Sequence, residues 1–157
     1  MAKKTLKNMI FGNNKGTRKI NKNIRSNGKS ISQKQQQQIV ITFLQMLNTV
    51  KLYHWKTSSY SQHIATDTLY TDLNASIDQF VEIMLGKEGN RVNLTGQKTI
   101  PLLDYTSVND FKKEIEKYKK FLINMNFVNI TNNSDLLNVR DEILGLLNKF
   151  TYLLTFE

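Results

Sequence analysis

The stretch LYHWKTSSYSQHIATDTLYTDLNASIDQFVEIMLG, residues 52–86, holds both histidines of the chain and two i,i+4 pairs of metal-ligand residues. The first pair is His63 with Asp67, and the second is Asp78 with Glu82. At about 100° per residue, these four side chains fall within an arc of roughly 100° on one helix. Because imidazole and carboxylate groups bind first-row metals, the pattern predicts a metal site on this helical face.

The two pairs are too far apart along the helix to bind the same ion. The midpoint of His63 and Asp67 lies about 15 residues, or ~22 Å, from the midpoint of Asp78 and Glu82. Metal–ligand bonds of ~2 Å cannot bridge that gap. A two-fold partner packed antiparallel would bring Asp78 and Glu82 opposite His63 and Asp67, so the spacing predicts a site between subunits.

The other histidine, His54, belongs to the preceding helical segment. It continues the apolar stripe of Val40, Phe43, Leu47 and Val50 at helical spacing, which predicts that it faces inward near the end of the helix. Taken alone, a histidine in such a stripe is typical of a core residue. Its place beside the two ligand pairs favours a role at the predicted metal site.

The carboxylates of the second helix need a positive partner if they are buried. No Lys or Arg lies between Asp67 and Glu82, and unpaired buried carboxylates cost several kcal/mol each. A bound cation is the simplest partner. The remaining alternative is an exposed or water-filled seam between two subunits, with no metal.

Two runs in this stretch resemble the Dps-like miniferritins of the ferritin-like superfamily. Leu52-Tyr53-His54-Trp55 is similar to the signature of that family's first helix. The second helix is matched by Leu69-Tyr70-x-x-Leu73 and by Asp78-x-x-x-Glu82-x-x-Leu85-Gly86. The spacing of His63, Asp67, Asp78 and Glu82 is also the family's own. The connection between His54 and His63 is shorter than is usual there and contains no glycine.

The resemblance implies a function and an assembly. It implies that His54, His63 and Asp67 of one subunit and Asp78 and Glu82 of its two-fold mate bind iron. The implied activity is that of a ferroxidase, which oxidises Fe(II) with peroxide or oxygen and stores the ferric product. Zinc is a possible substitute for iron at such a site. The implied assembly is a dodecamer built from two-fold dimers.

The periodicity and the resemblance together predict an all-α fold, a ferritin-like four-helix bundle with a long crossover connection. The bundle domain is predicted at 39–157, and a flexible basic arm at 1–38. The first helix is expected near 33–57, with its start at Ser30 or Ser32, and the second near 61–86, closed by Gly86. The third is expected near 107–127 and the fourth near 135–156. The crossover is predicted at 87–107.

The arm is defined by its charge. Twelve of the 22 basic residues precede Asp67, which is the first of the 13 acidic residues. Such a segment binds polyanions, and the lack of a base-reading motif predicts non-specific binding to DNA. A localisation signal, a membrane-surface contact and a packing arm are the alternatives. The predicted nucleic-acid-binding residues are Lys3, Lys4, Lys7, Lys15, Arg18, Lys19, Lys22, Arg25, Lys29 and Lys34.

Composition narrows the remaining classes. The chain has no cysteine, which excludes zinc-ribbon, iron–sulfur and thiol-nucleophile sites. It has no apolar run of about 18 residues, so we expect a soluble intracellular protein with no membrane partner, in the cytoplasm or associated with nucleic acid in a nucleoid or virion. The rival function is a non-enzymatic DNA-packaging or structural protein that uses the bundle as an oligomerisation scaffold.

Overall fold

The computed structural model describes residues 30–126, 128 and 132–156, and all regular structure in these residues is α-helical. The helices are α1 (Gln33–Lys56), α2 (Tyr60–Glu88), α3 (Val108–Ile123) and α4 (Ser134–Leu153). Their number and order confirm the predicted all-α, four-helix fold. The largest difference in bounds is at the end of α3, where the backbone tightens and Met125 N donates to Leu122 O.

The first helix begins where its capping residue predicts. Ser32 Oγ accepts a hydrogen bond from Gln35 N, and the Gln35 side chain accepts one from Ser32 N at 2.9 Å. This reciprocal capping box satisfies backbone donors that have no partner within the helix. Phe43 and Val50, on the predicted inward stripe, are fully buried. The spacing of apolar residues therefore gave the buried face of α1 correctly.

The predicted end of the second helix at Gly86 is wrong. The helix continues to Glu88, and the residue that ends it is Gly89, whose φ is 64° and whose N–H donates to Leu85 O at 3.0 Å. Glycine adopts this left-handed backbone conformation at little cost in free energy, because it has no Cβ. Gly86 has no positive φ and is an ordinary helical residue.

The four helices pack side by side as a bundle. Helix α1 packs against α2 and α3, and α4 also packs against α2 and α3, so α1 and α4 lie on a diagonal. Four phenylalanines, one from each helix, are almost completely buried in the centre; Phe43 and Phe80 meet edge to face at 5.3 Å. Such aromatic pairs add about 0.5–1.5 kcal/mol beyond the area that they bury.

Two contacts fix the relative directions of the helices. Lys87, near the end of α2, lies 2.8 Å from the carboxylate of Asp135 at the start of α4. Lys112, near the start of α3, donates to Leu154 O just after α4 at 3.1 Å. Helix α4 therefore runs antiparallel to both of its neighbours. The hydrogen bond from Lys87 holds the pKa of Asp135 below its usual value of 3.8, so this contact stabilises the fold above about pH 4 and is lost in acid.

The long connection between α2 and α3 follows α1. Arg91 O accepts from the Gln33 side chain near the start of α1, and Pro101 O accepts from Gln45 near its middle. At the far end, Lys56 lies 2.7 Å from Asp104. These contacts fix successive parts of the connection at points about three turns apart along α1.

The predicted arm falls mostly outside the described residues. Of its ten named basic residues, Lys34 alone is described, and it lies exposed in the first turn of α1. Residues 33–38, which were assigned to the arm, are helical because Ser32 caps them. No helix among the described residues is both long enough and apolar enough to cross a membrane.

Candidate metal centre

The two histidines meet at the turn between α1 and α2. His54 lies in the last turn of α1, and His63 lies in the first turn of α2, which begins after Ser59. Their rings stack with centroids 4.0 Å apart and an interplanar angle of 22°. The short connection therefore brings the two rings into direct contact. His54 is 7% exposed, whereas His63 is open to solvent.

Hydrogen bonds to the backbone orient both rings. His54 Nδ1 lies 3.0 Å from His63 O, and His63 Nδ1 lies 3.1 Å from His54 O. A carbonyl oxygen only accepts hydrogen bonds, so each Nδ1 carries the proton in the neutral ring. Each Nε2 then keeps its lone pair. A backbone carbonyl that fixes the tautomer in this way is the usual support of a metal-binding histidine.

Thr66 strengthens this arrangement from inside the bundle. Its hydroxyl is 3.2 Å from His54 Nδ1 and donates to Gln62 O at 2.7 Å. Since the hydroxyl proton is used by Gln62 O, the hydroxyl oxygen is available to accept from His54 Nδ1. Thr66 is fully buried, and sequence reasoning did not identify it as part of the site. Its signal in the sequence is only its position one turn after His63 on α2.

The third predicted ligand, Asp67, lies beside the rings. Its Oδ1 is 3.7 Å from His54 Nε2 and 3.6 Å from the ammonium group of Lys51. That ammonium group also lies over the ring of Tyr70 at 4.8 Å and over that of Trp55 at 5.8 Å. No Lys or Arg lies between Asp67 and Glu82 on α2, but Lys51 on α1 supplies a cation. The Asp67 carboxylate therefore already has a positive neighbour within the protomer.

The second predicted pair lies far from these three side chains. Asp78 and Glu82 are on the continuous helix α2, about 22 Å along the axis from the first pair, and both are exposed. Within the described part of the chain, no group of three or more His, Cys, Asp or Glu side chains has the geometry to hold a metal ion. The structure thus brings together His54, His63 and Asp67 and does not bring Asp78 and Glu82 to them.

Large apolar side chains surround the histidine pair on the surface. Trp55 is 68% exposed, Tyr60 is 79% exposed and Ile64 is 48% exposed. Tyr60 and Ile64 lie on the same face of α2 as Asp67, Asp78 and Glu82, at turns of 3.6 residues. Contiguous exposed apolar side chains are typical of a surface that contacts another protein.

A comparison with protein families matches residues 54–154 to the Family of unknown function (DUF5856). The matched region covers more than half of the chain and contains all five candidate ligands. No curated protein and no solved structure matches the chain. The chain belongs to the DUF5856 family.

Proposed function

We infer that this protein is a Dps-like ferroxidase and iron-storage protein that oxidises Fe(II) with peroxide or oxygen. In this proposal, His54, His63 and Asp67 of one subunit and Asp78 and Glu82 of its two-fold mate bind the iron. The protein assembles as a dodecamer from two-fold dimers, and its basic N-terminal arm binds DNA without sequence specificity. The fold of each subunit is a ferritin-like bundle with a long crossover.

The observation that carries the proposal is the stacked histidine pair with each Nδ1 directed at a backbone carbonyl oxygen. Both Nδ1 atoms lie at hydrogen-bonding distance from backbone carbonyls, which leaves both Nε2 atoms as metal donors beside the Asp67 carboxylate. A histidine that only packs in the core needs hydrogen-bond partners for its own ring and no second histidine beside it. Two adjacent rings with the same free nitrogen, next to a carboxylate at the surface, match the donor set that first-row metals use.

The exposed face of α2 supports a site shared between subunits. Three donors in one protomer do not close a metal site, and among the described residues no further His, Cys, Asp or Glu side chains join Asp78 and Glu82 in a group that could hold a metal ion. An antiparallel two-fold mate would place Asp78 and Glu82 opposite His63 and Asp67, and it would do so twice by symmetry. The exposed Tyr60 and Ile64 would be covered in the same contact.

The donor types suit iron as a substrate. Carboxylate oxygen is a hard donor and favours Fe(III) over Fe(II), while imidazole nitrogen binds Fe(II) well. A small number of protein ligands for each ion leaves positions open for the oxidant. The contacts of the 89–107 connection with α1 support the ferritin-like crossover.

The rival proposal is a non-enzymatic DNA-packaging or structural protein. The observation that favours it is the contact of Lys51 with Asp67, because an ammonium ion near this carboxylate reduces its need for a metal. In that case the histidine pair holds α1 against α2, or binds a structural zinc ion. The bundle then serves as an oligomerisation scaffold for the basic arm.

Stopped-flow oxidation of Fe(II) with stoichiometric peroxide separates the two functions. We expect the intact protein to oxidise Fe(II) much faster than buffer and the variants His63→Ala and Asp78→Ala to lose this rate. Asp72→Ala is the control, because Asp72 lies on α2 beside α4 rather than on the shared face. Oxidation by the intact protein at the rate of buffer would refute the iron chemistry.

Mixing the two inactive variants tests whether the site is shared. A dimer of one His63→Ala chain and one Asp78→Ala chain contains one site with all five ligands intact. Random reassortment therefore restores about one quarter of the intact sites. A site within one subunit would give no recovery on mixing.

A further inference from the structure

The point where the basic arm meets the bundle is fixed by buried contacts. Ile31 is almost completely buried, and its N–H donates to the Glu88 carboxylate at the end of α2 at 2.9 Å. The side chain of Gln36, also fully buried, donates to Ile31 O at 2.8 Å. The chain preceding Ile31 therefore starts from a defined place, at the end of the bundle where α1 begins and α2 ends.

Unpaired cations lie at this same end. Lys34, Arg91 and Lys98 are exposed, and none of them has an ion-pair partner among the described residues. Arg91 is held next to the start of α1 by the bond of its carbonyl to the Gln33 side chain. Lys98 directly follows Gln97. Lys34 and Gln97 line one open surface pocket of about 270 Å³, together with Gln37, Gln38 and Ile41.

Most basic residues elsewhere on the bundle are engaged by acidic groups, whereas Lys120 on α3 and Lys149 on α4 are exposed without an ion pair among the described residues. At the histidine end, Lys51 and Lys56 each contact an aspartate. Several others form ion pairs along the helices, namely Lys87, Lys113, Lys117, Lys119 and Arg140. Lys34, Arg91 and Lys98 are therefore free to bind an external anion without first breaking a contact within the protein.

The acidic groups near the arm's attachment point are already engaged. Glu88 accepts from Ile31 N, and Asp135 lies against Lys87. The first turn of α1 contains no acidic residue, so the positive end of its helix dipole is not offset there.

We propose that Lys34, Arg91 and Lys98 form a phosphate-binding surface on the bundle that continues the basic arm onto the folded domain. Its ligand is the sugar–phosphate backbone of nucleic acid, bound without reading of the bases, since side chains of this kind position a duplex rather than specify its sequence. The inference rests on the nucleic-acid part of the proposed function. It adds residues of the folded bundle to the nucleic-acid contacts predicted for the arm.

The surface is remote from the candidate metal centre. From Ile31 to His54 the chain advances 23 residues, nearly all of them in α1, which corresponds to ~34 Å along the helix axis. Nucleic acid bound at the arm end therefore leaves the histidine pair uncovered in the same protomer.

The test is the salt dependence of binding to a short duplex of random sequence, measured by fluorescence anisotropy with the full chain. Each phosphate contact contributes about 0.9 to the slope of log K against log salt. The combined variant Lys34→Gln, Arg91→Gln, Lys98→Gln should lower that slope by up to ~2.7 for each protomer in contact. Lys149→Gln, an exposed and unpaired cation on α4, is the control and should leave the slope unchanged.

Each outcome decides a different question. A lower slope in the combined variant, with a normal control and an unchanged melting temperature, supports the surface. An unchanged slope overturns the surface while the arm's binding stands. An intact protein that does not bind the duplex overturns both, and Fe(II) oxidation by the same preparation then shows whether the ferroxidase proposal survives. Loss of binding to phosphatidylserine vesicles with no change for the duplex would assign the surface to a membrane and overturn the proposal.

Discussion

Replacing Ile64 with glutamine tests whether the exposed face of α2 contacts a second subunit. Ile64 is 48% exposed in the protomer, between the histidine pair and the rest of the outward face of α2. Full burial of an isoleucine side chain contributes about 1.5–3 kcal/mol, so burial of the exposed half contributes ~0.7–1.5 kcal/mol. A two-fold contact contains the residue twice, which doubles the effect to ~1.5–3 kcal/mol.

This free energy corresponds to a dissociation constant about 10- to 150-fold higher for the Ile64→Gln dimer. Sedimentation equilibrium over a range of protein concentrations measures it. The matched control is Leu102→Gln, because Leu102 is 64% exposed but lies on the connection between α2 and α3. Both substitutions are at the surface and introduce an unbranched polar side chain. Far-UV circular dichroism should therefore show the same helix content as the intact protein.

Two results would refute the reasoning. If Ile64→Gln associates as tightly as the intact protein, the face of α2 that carries Asp67 is not the subunit contact. If Leu102→Gln weakens association instead, the contact lies on the other side of α1, and Asp78 and Glu82 cannot reach the histidine pair of a mate. Either result would remove the geometric basis of the shared metal site.

Four further substitutions test single features of the site and of the end of α2. Thr66→Val keeps the shape of the buried side chain but removes the acceptor near His54 Nδ1, and we expect metal affinity, measured by calorimetry with Zn(II), to fall about 10- to 100-fold. Gly89→Ala places a Cβ on a residue with φ of 64° and should lower the free energy of unfolding in urea by about 1–2 kcal/mol. Gly86→Ala changes a normal helical turn with open space around it and should raise that free energy by about 0.5–1 kcal/mol. Lys51→Met removes the ammonium ion from the candidate metal centre and should tighten Zn(II) binding up to about fivefold, the range of an exposed ion pair.

Each of these expectations has a contrary result. Unchanged Zn(II) affinity in Thr66→Val would mean that the threonine supports the fold rather than the histidine. Equal effects of alanine at Gly86 and Gly89 would show that the left-handed backbone does not determine where α2 ends. Weaker Zn(II) binding in Lys51→Met would mean that the lysine holds Asp67 in place for the metal instead of competing with it.

The helices and their buried faces could be predicted because they depend on the spacing of residues that are close in the sequence. Apolar residues at helical spacing predicted the inward stripe of α1, and the start of α1 was predicted at Ser30 or Ser32, of which the structure has Ser32 as the N-cap. The end of α2 could not be predicted in the same way, because Gly86 and Gly89 are both suitable by residue type. Only the folded backbone shows which of them takes the positive φ.

The closeness of His54, His63 and Asp67 could be predicted from the sequence, but the surroundings of these three side chains could not. The i,i+4 spacing identified His63 and Asp67, and the contact of His54 with His63 needed only the short turn between two helices. Lys51 was missed because the search for a balancing cation was confined to the helix that carries the carboxylates. A residue one turn before His54 on α1 reaches Asp67 only after the two helices have packed.

Metal binding and assembly must be coupled if the shared site is correct. His54, His63 and Asp67 lie together in one protomer, and in the proposed site Asp78 and Glu82 of the mate would complete the set. A metal ion that contacts both sets would then bind the dimer better than the separated chains. By linkage, the same ion stabilises the dimer, by about 2.7 kcal/mol when its concentration is 100 times its dissociation constant. Lys51 opposes this effect, because its ammonium group compensates the Asp67 carboxylate when no metal is bound. Added metal would then shift the equilibrium toward the two-fold dimer.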